Sequence, residues 1–335
     1  MKLLRRLLIL LVLCLAALAA SAWWWLDRAL PLATPTVELS IEAGSTPRDV
    51  AQAWVQAGVQ AQPWLLFQWF RWSGQARRIR AGSYELEPGI TPRGLLAKMV
   101  QGDEAFERVR LIEGWTFRQF RAALARAPHL KPASTALDDA QLMQLLGLPG
   151  VSPEGRFFPD TYIYSRNVSD VTVMRRALSV MQQRVAAVWA ERAPNLPLKT
   201  ADEALVLASI VEKETGRSED RGRIAAVFIN RLRAGMPLQT DPTVIYGLGE
   251  AFDGNLRKRD LLADGPYNTY TRAGLPPTPI AMPGLAALRA TVQPDPSRAL
   301  YFVARGDGSS VFSEDLAAHN RAVNTYQRAS APKKP

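Results

Sequence analysis

Cysteine occurs once in the 335 residues, at Cys14, and histidine twice, at His129 and His319. A single thiol excludes intramolecular disulfides, a cysteine-rich zinc site and an iron–sulfur cluster. Two histidines leave little for an imidazole metal centre, so no metal is called for. No Gly-x-Ser-x-Gly elbow accompanies His319, so a Ser–His–Asp hydrolase lacks its nucleophile. Neither a Walker loop nor a dinucleotide fingerprint is present, and with them goes the usual cradle for a nucleotide cofactor; none is expected. Acids are also in the minority, with 31 Asp and Glu against 41 Lys and Arg, a net charge of +10. That excess points to an anionic partner. Without a zinc-finger or RNA-binding signature it is read as attraction to a membrane surface or an acidic polymer, not to nucleic acid. With 47% hydrophobic residues the chain can bury a core in each of two or three domains. If it is an enzyme, carboxylates do its work.

What is present begins with an apolar run. Leu7 to Leu26 carries no charge, and as a helix it would span roughly 30 Å, one bilayer core. Lys2, Arg5 and Arg6 precede it, which places the N-terminus in the cytoplasm and everything after Asp27 outside. Trp23, Trp24 and Trp25 stand where an interfacial aromatic belt belongs. A cleaved signal peptide is the competing reading, since Ala20-Ser21-Ala22 resembles a cleavage site; length and the tryptophans favour a retained anchor. Pro31 to Pro35 then reads as a linker.

Two phrases echo each other downstream, "IEAGSTPRDVAQAW" and "LEPGITPRGLLAKM". Each reads as a strand (Val37–Ile41, Gly82–Leu86), a glycine turn, a Thr-Pro cap and a helix. Pro63 to Phe70 gives an aromatic-rich helix between them. The pattern resembles a LysM-like module, with a βαβ-type spacer as the plainer reading; Trp64, Trp69 and Trp72 suit either sugar stacking or core packing. Beyond Arg108 the chain reads as a larger α+β region. It has a strand over Val109–Ile112, helices from Thr116 to Ala125 and from Asp138 to Leu146, the aromatic phrase "PEGRFFPDTYIY" and a long helix over Val171–Arg192.

The segment from Thr200 to Gly216, "TADEALVLASIVEKETG", carries the chemistry. Asp202 is expected to cap its start and Gly216 to close its end. Leu207, Ile210 and Val211 fall at i, i+3 and i+4, and Glu214 falls at i+7 on the same apolar stripe. Glu212 is about 200° away, in a different environment. A carboxyl on an apolar face loses solvation, and at the negative end of a helix dipole its proton affinity rises further. Those conditions suit a general acid near neutral pH. A solvated helix end bearing Glu212, Lys213 and Glu214 is the bland alternative. Downstream, Asn230, Gln239, Thr240, Tyr246, Tyr267 and Asn268 supply the neutral donors and aromatic faces that a sugar site wants. Four prolines between Gly274 and Pro283 predict a shaped loop lining a cleft. Asp241 is either a turn residue before Pro242 or a second active-site carboxylate.

The phrases "FPDTY", "LASIVEKETG", "VFINRL", "LQTDPTVIYG", "YNTY" and "GLPPTPI" occur in this order, and together they resemble the YceG-like endolytic murein transglycosylase family (MltG). The resemblance implies an α+β fold with a transmembrane helix, a LysM-like subdomain and a larger catalytic domain with a sugar-binding cleft. It divides the chain into a cytoplasmic tip and anchor over 1–28, a linker over 29–36, the subdomain over 37–105, the catalytic domain over 106–327 and a disordered tail over 328–335. It implies cleavage of the MurNAc-β-1,4-GlcNAc bond of nascent peptidoglycan to give 1,6-anhydro-MurNAc ends, ending strand growth at an inner membrane. Glu214 matches the family's essential glutamate. The other six residues are the candidate substrate contacts, with Glu212 and Asp241 in support. Penicillin-binding proteins are the implied partners. Two alternatives stay open: a hydrolytic muramidase using Glu214 with Asp241, and a non-catalytic peptidoglycan-binding scaffold.

Overall fold

In the computed structural model, residues 2–328 are described; the tail expected over 328–335 lies outside them, apart from the backbone of Arg328. Among the described residues the fold mixes helix and sheet, with helices predominating and three two-stranded sheets, each pairing strands successive along the chain. The chain divides into two compact units, one of residues 1–108 with 128–131 and 163–168, the other of the remaining residues.

The first unit begins with α1 (Lys2–Asp27), whose stretch Arg5–Asp27 is long and apolar enough to cross a membrane. β1 (Val37–Ile41) pairs antiparallel with β2 (Gly82–Leu86), with Val37 opposite Leu86 and Ile41 opposite Gly82. The two echoing phrases fold as their residues dictate. Thr46 caps α2 (Pro47–Ala57) in a reciprocal box with Asp49, and Thr91 caps α4 (Pro92–Gln101) through the Gly94 N–H. In each case proline takes the first turn, where a missing N–H costs nothing. Between them α3 (Pro63–Trp72) buries Leu66 and Phe70. Trp54 is fully buried at the centre of this core, its indole N–H on Met99 Sδ at 3.2 Å. Arg166 gathers three carboxylates, those of Glu38, Glu85 and Glu107.

The strand expected over Val109–Ile112 is shifted: β3 covers Phe106–Arg110, and β4 covers Thr161–Ser165. The alternation that makes it a strand starts earlier, at Phe106-Glu107-Arg108-Val109. In the second unit α5 (Phe117–Ala125) and α6 (Asp139–Leu145) start on the expected caps Thr116 and Asp138. The long helix α7 covers Asp170–Ala190. α8 (Ala201–Glu214) is the centre of the core: every residue from Ala204 to Val211 is buried. α7, α9 (Ser218–Arg233), α10 (Asp241–Leu248) and α12 (Leu285–Val292) all pack on it. α11 (Lys258–Leu262), β5 (Tyr301–Ala304), β6 (Ser310–Ser313) and α13 (Leu316–Val323) complete the unit.

Both expected ends of α8 are corrected. Thr200 caps the start by accepting the Glu203 N–H at 3.1 Å, which leaves Asp202 in the first turn to pair with Arg156. The helix ends on Glu214, because Thr215 turns extended at φ −150°, and Gly216 adopts no left-handed conformation. Glu214 is therefore the last helical residue.

Candidate active site

Glu214 sits where the apolar stripe of α8 stops. Below it the stripe contacts only core, and Glu214 itself is half-buried. The Thr240 hydroxyl, at the N-cap of α10, donates to Glu214 Oε1. Burial pushes the Glu214 pKa from an ordinary 4.5 up to about 7; the Thr240 bond works against the rise and the charge of Asp241 adds to it. Position at the C-terminus of α8 favours the proton in the same sense.

Thr240 is held in place by a small clamp. Its own N–H donates to Thr269 Oγ1 at 3.1 Å, and Thr243 Oγ1 bridges the Thr240 carbonyl (2.8 Å) and Thr269 Oγ1 (2.9 Å). The Gln239 N–H donates to the Thr269 carbonyl at 3.0 Å, with Gln239 itself at φ +52°. The buried guanidinium of Arg231 fixes this turn. Its Nη1 donates to the carbonyls of Pro237 (3.2 Å) and Leu238 (2.9 Å) and to Gln239 Oε1 (3.1 Å), and its Nε to Leu300 O (2.7 Å). Asp241 is the first residue of α10, not a turn residue, and it accepts from the Tyr270 hydroxyl at 2.5 Å. Burial raises the Tyr270 pKa first, and the Asp241 carboxylate raises it further, with Glu214 contributing. Glu214, Thr240, Asp241 and Tyr270 thus form one connected group.

The remaining candidates are placed around or away from that group. Glu212 faces elsewhere, accepting the Gly284 N–H at 2.9 Å, and Ser209 Oγ accepts the Ile280 N–H at 2.9 Å. These two bonds strap the proline-rich loop onto α8. Burial raises the Glu212 pKa, which the Gly284 N–H opposes. Asn230 donates to the carbonyls of Ser297 and Ala299, and Asn268 to those of Asp260, Leu261 and Ala263, so both amide groups are engaged with the fold. Asn268 Oδ1 also accepts the Tyr270 N–H at 2.9 Å and so orients that phenol's segment. Tyr267 and Tyr246 pack edge to face, 4.9 Å between centroids. Tyr267 meets Thr278 Oγ1 at 2.8 Å, and Tyr246 donates to Glu154 Oε2 at 3.1 Å. A hollow of about 720 Å³ beside the proline-rich loop is lined by Leu275 to Pro279, Arg156 and Asp202, and Glu214 is not among its walls.

Sequence reasoning passed over two residues here. Glu154 is buried, accepts the Phe117 N–H at 2.9 Å, and has its pKa pushed to about 7 by burial. Gly155 beside it takes φ +76° with Pro279 packed where a Cβ would stand. Arg231 reads as one of several arginines after "VFIN". The available signal was its place four residues after the buried Val227, on the inward face of α9.

Fold and site together describe a mixed helix-and-sheet protein with a desolvated carboxyl at the end of a buried helix. The chain belongs to the YceG-like family, whose profile matches residues 39–325. It is 31% identical over 309 residues to the endolytic murein transglycosylase of Bacillus subtilis, covering 87% of this chain and 85% of that one. It is 28% identical to the endolytic murein transglycosylase of Streptococcus pneumoniae, covering 89% of this chain and 60% of that longer protein. The crystal structure of a YceG-like protein from Listeria monocytogenes aligns with TM-score 0.55 and 30% identity, over 85% of this chain and 98% of the other.

Proposed function

We propose that this chain is an endolytic peptidoglycan lytic transglycosylase, anchored by α1 with its catalytic region outside the cytoplasmic membrane, and that Glu214 is its acid and base. The observation that carries the reading is the placement of one desolvated carboxyl, with a pKa of about 7, at the end of a buried helix and under a single hydroxyl donor. The curated relatives in Bacillus and Streptococcus bear the same activity in their names. Protonated Glu214 donates to the departing GlcNAc O4 as the muramyl C1–O4 bond breaks and positive charge develops at C1. The resulting carboxylate takes the proton of the muramyl C6 hydroxyl, whose oxygen bonds to C1 and closes the 1,6-anhydro ring. No water enters, so no second carboxylate is needed to hold one. Residues 37–105 are assigned as a LysM-like subdomain on the repeated strand, glycine, Thr-Pro and helix pattern, and peptidoglycan synthases of the penicillin-binding class as working partners. Mass spectrometry of products from purified glycan strands tests the reaction: ends lighter than reducing ends by one water are expected, and reducing ends would mean hydrolysis.

Asp241 separates the two enzymatic readings. A muramidase using Asp241 loses its activity on Asp241→Asn. In the transglycosylase reading the variant stays active, and removing a negative neighbour lowers the Glu214 pKa, so the alkaline limb of kcat/KM moves to lower pH. Thr240→Val removes the donor that favours the carboxylate and moves the same limb to higher pH. Opposite displacements of the two variants are the expected result, read from pH–rate profiles.

A further inference from the structure

α3 is apolar on its outer face as well as on the face it buries. Trp64 is 61% exposed, Trp72 74% and Leu65 37%. With Gln68 they occupy an arc of about 100° on the helix, opposite the buried Leu66 and Phe70. Exposed apolar patches of this kind mark an interaction surface. The next position round the helix, Trp69, is fixed by its N–H to the Pro92 carbonyl at 3.0 Å and lies against the Arg93 guanidinium, 5.5 Å from the ring centroid. The same guanidinium covers Trp23 of α1 at 4.4 Å and pairs with Asp27 at 2.7 Å. One side chain therefore joins the end of the apolar helix to α3. Trp23 and Trp24 are themselves 65% and 62% exposed.

Charge selects the occupant. From Val50 to Tyr84 there is no Asp or Glu, while Arg71, Arg77 and Arg78 are all exposed at the end of α3 and just after it. Aromatic side chains beside arginines suit the headgroup level of a bilayer, where indole is wetted at one edge and anionic lipid is within reach of the cations. A sugar platform would instead flank its aromatic faces with neutral amides and carboxylates for the hydroxyls, and this arc offers Gln68 alone.

We propose that the outer face of α3 lies on the anionic surface of the bilayer that α1 spans, as a second, interfacial membrane contact of the first unit. The inference rests on the anchor reading of α1, so the test reads the two separately. The full chain with Cys14→Ser is reconstituted into vesicles carrying a spin-labelled lipid quencher, made of phosphatidylcholine with or without phosphatidylglycerol. One sample carries a fluorophore on Ala20→Cys within α1, the other on Gln68→Cys between Trp64 and Trp72. Quenching at both positions is expected. At position 68 it should be several-fold stronger with phosphatidylglycerol and fall several-fold in Trp64→Ser/Trp72→Ser or Arg71→Glu/Arg78→Glu. Quenching at 20 with a water-exposed label at 68 in both vesicles overturns the proposal and leaves the anchor standing. Quenching at neither position removes the anchor and the proposal together. A label at 68 that ignores lipid but is shielded from aqueous iodide by soluble glycan strands makes the face a sugar platform and also overturns it.

Discussion

Glu214→Gln is expected to lower the rate of glycan-strand cleavage by about 10³-fold, within the range that a positioned general acid contributes, while the protein folds normally. Gln keeps the volume and can still accept from the Thr240 hydroxyl, so the loss reports the proton and not the packing. The stability curve gives an independent check. In the native protein the Glu214 pKa is raised to about 7 from 4.5. A carboxyl raised in this way favours the fold fully below pH 4.5, where it is protonated in both states. That contribution fades as pH rises through 7, because the folded protein must then bury a charge. Glu154, raised to about 7 as well, acts in the same window. The wild type should thus lose stability as pH rises from 4.5 through 7, and Glu214→Gln, neutral at this position throughout, should lose less, with Glu154 and Glu212 still contributing. At pH 8 the inactive variant is expected to be the more stable protein by about 2 kcal/mol, since each pH unit between the folded and unfolded pKa is worth about 1.36 kcal/mol, discounted because the residue is only half-buried. Thermal melts at pH 5 and pH 8, set beside product release measured by chromatography, check both halves. Wild-type cleavage by the variant would remove Glu214 from the chemistry, and identical melts at both pH values would remove its desolvation.

The desolvation of Glu214 was legible in the sequence because the apolar stripe of α8 runs out at it. The 3.6-residue stripe through Leu207, Ile210 and Val211 needs no tertiary knowledge, and it places Glu214 on the buried face. The Thr-Pro caps at Thr46 and Thr91 were legible for the same reason, since local sterics and hydrogen bonding decide them. The ends of α8 were not. Asp202 is as good a cap as Thr200 in isolation, but Arg156, 46 residues earlier, takes its carboxylate at 2.6 Å. Glu154 was illegible on similar grounds. Nothing in "PEGRFFPDTYIY" says that this acid, and not Asp160, is buried, because its partners are the Phe117 N–H and the Tyr246 hydroxyl, on two other helices. The amides of Asn230 and Asn268 look like sugar ligands by residue type alone, whereas in the fold backbone carbonyls converge on them, from Ser297 and Ala299 on the first and from the end of α11 and beyond on the second. Composition states which donors exist; only the tertiary path states which have already been used.

Arg231 is the position where that distinction has the largest structural consequence. Its guanidinium is buried, makes four hydrogen bonds, and has its pKa lowered by that burial. Arg231→Met fills similar space but leaves the carbonyls of Pro237, Leu238 and Leu300 without their donor. The expected cost is about 3 kcal/mol, since each buried carbonyl left without a donor costs about 1–3 kcal/mol, or a fall of roughly 10 °C in the melting temperature of a unit this size. Activity should fall further than stability alone explains, because the turn that Arg231 holds ends at Gln239 and carries Thr240, the donor on Glu214. Released from it, Thr240 no longer favours the carboxylate, and the alkaline limb of kcat/KM should move to higher pH, as in Thr240→Val. Arg231→Lys can reach one or two of the carbonyls as a point donor and should recover part of the melting temperature without restoring the fork. A melt lowered by several degrees with an unshifted pH profile would make Arg231 a packing residue only. A shifted profile at a temperature where the variant is fully folded identifies it as the residue that positions the hydroxyl over the acid.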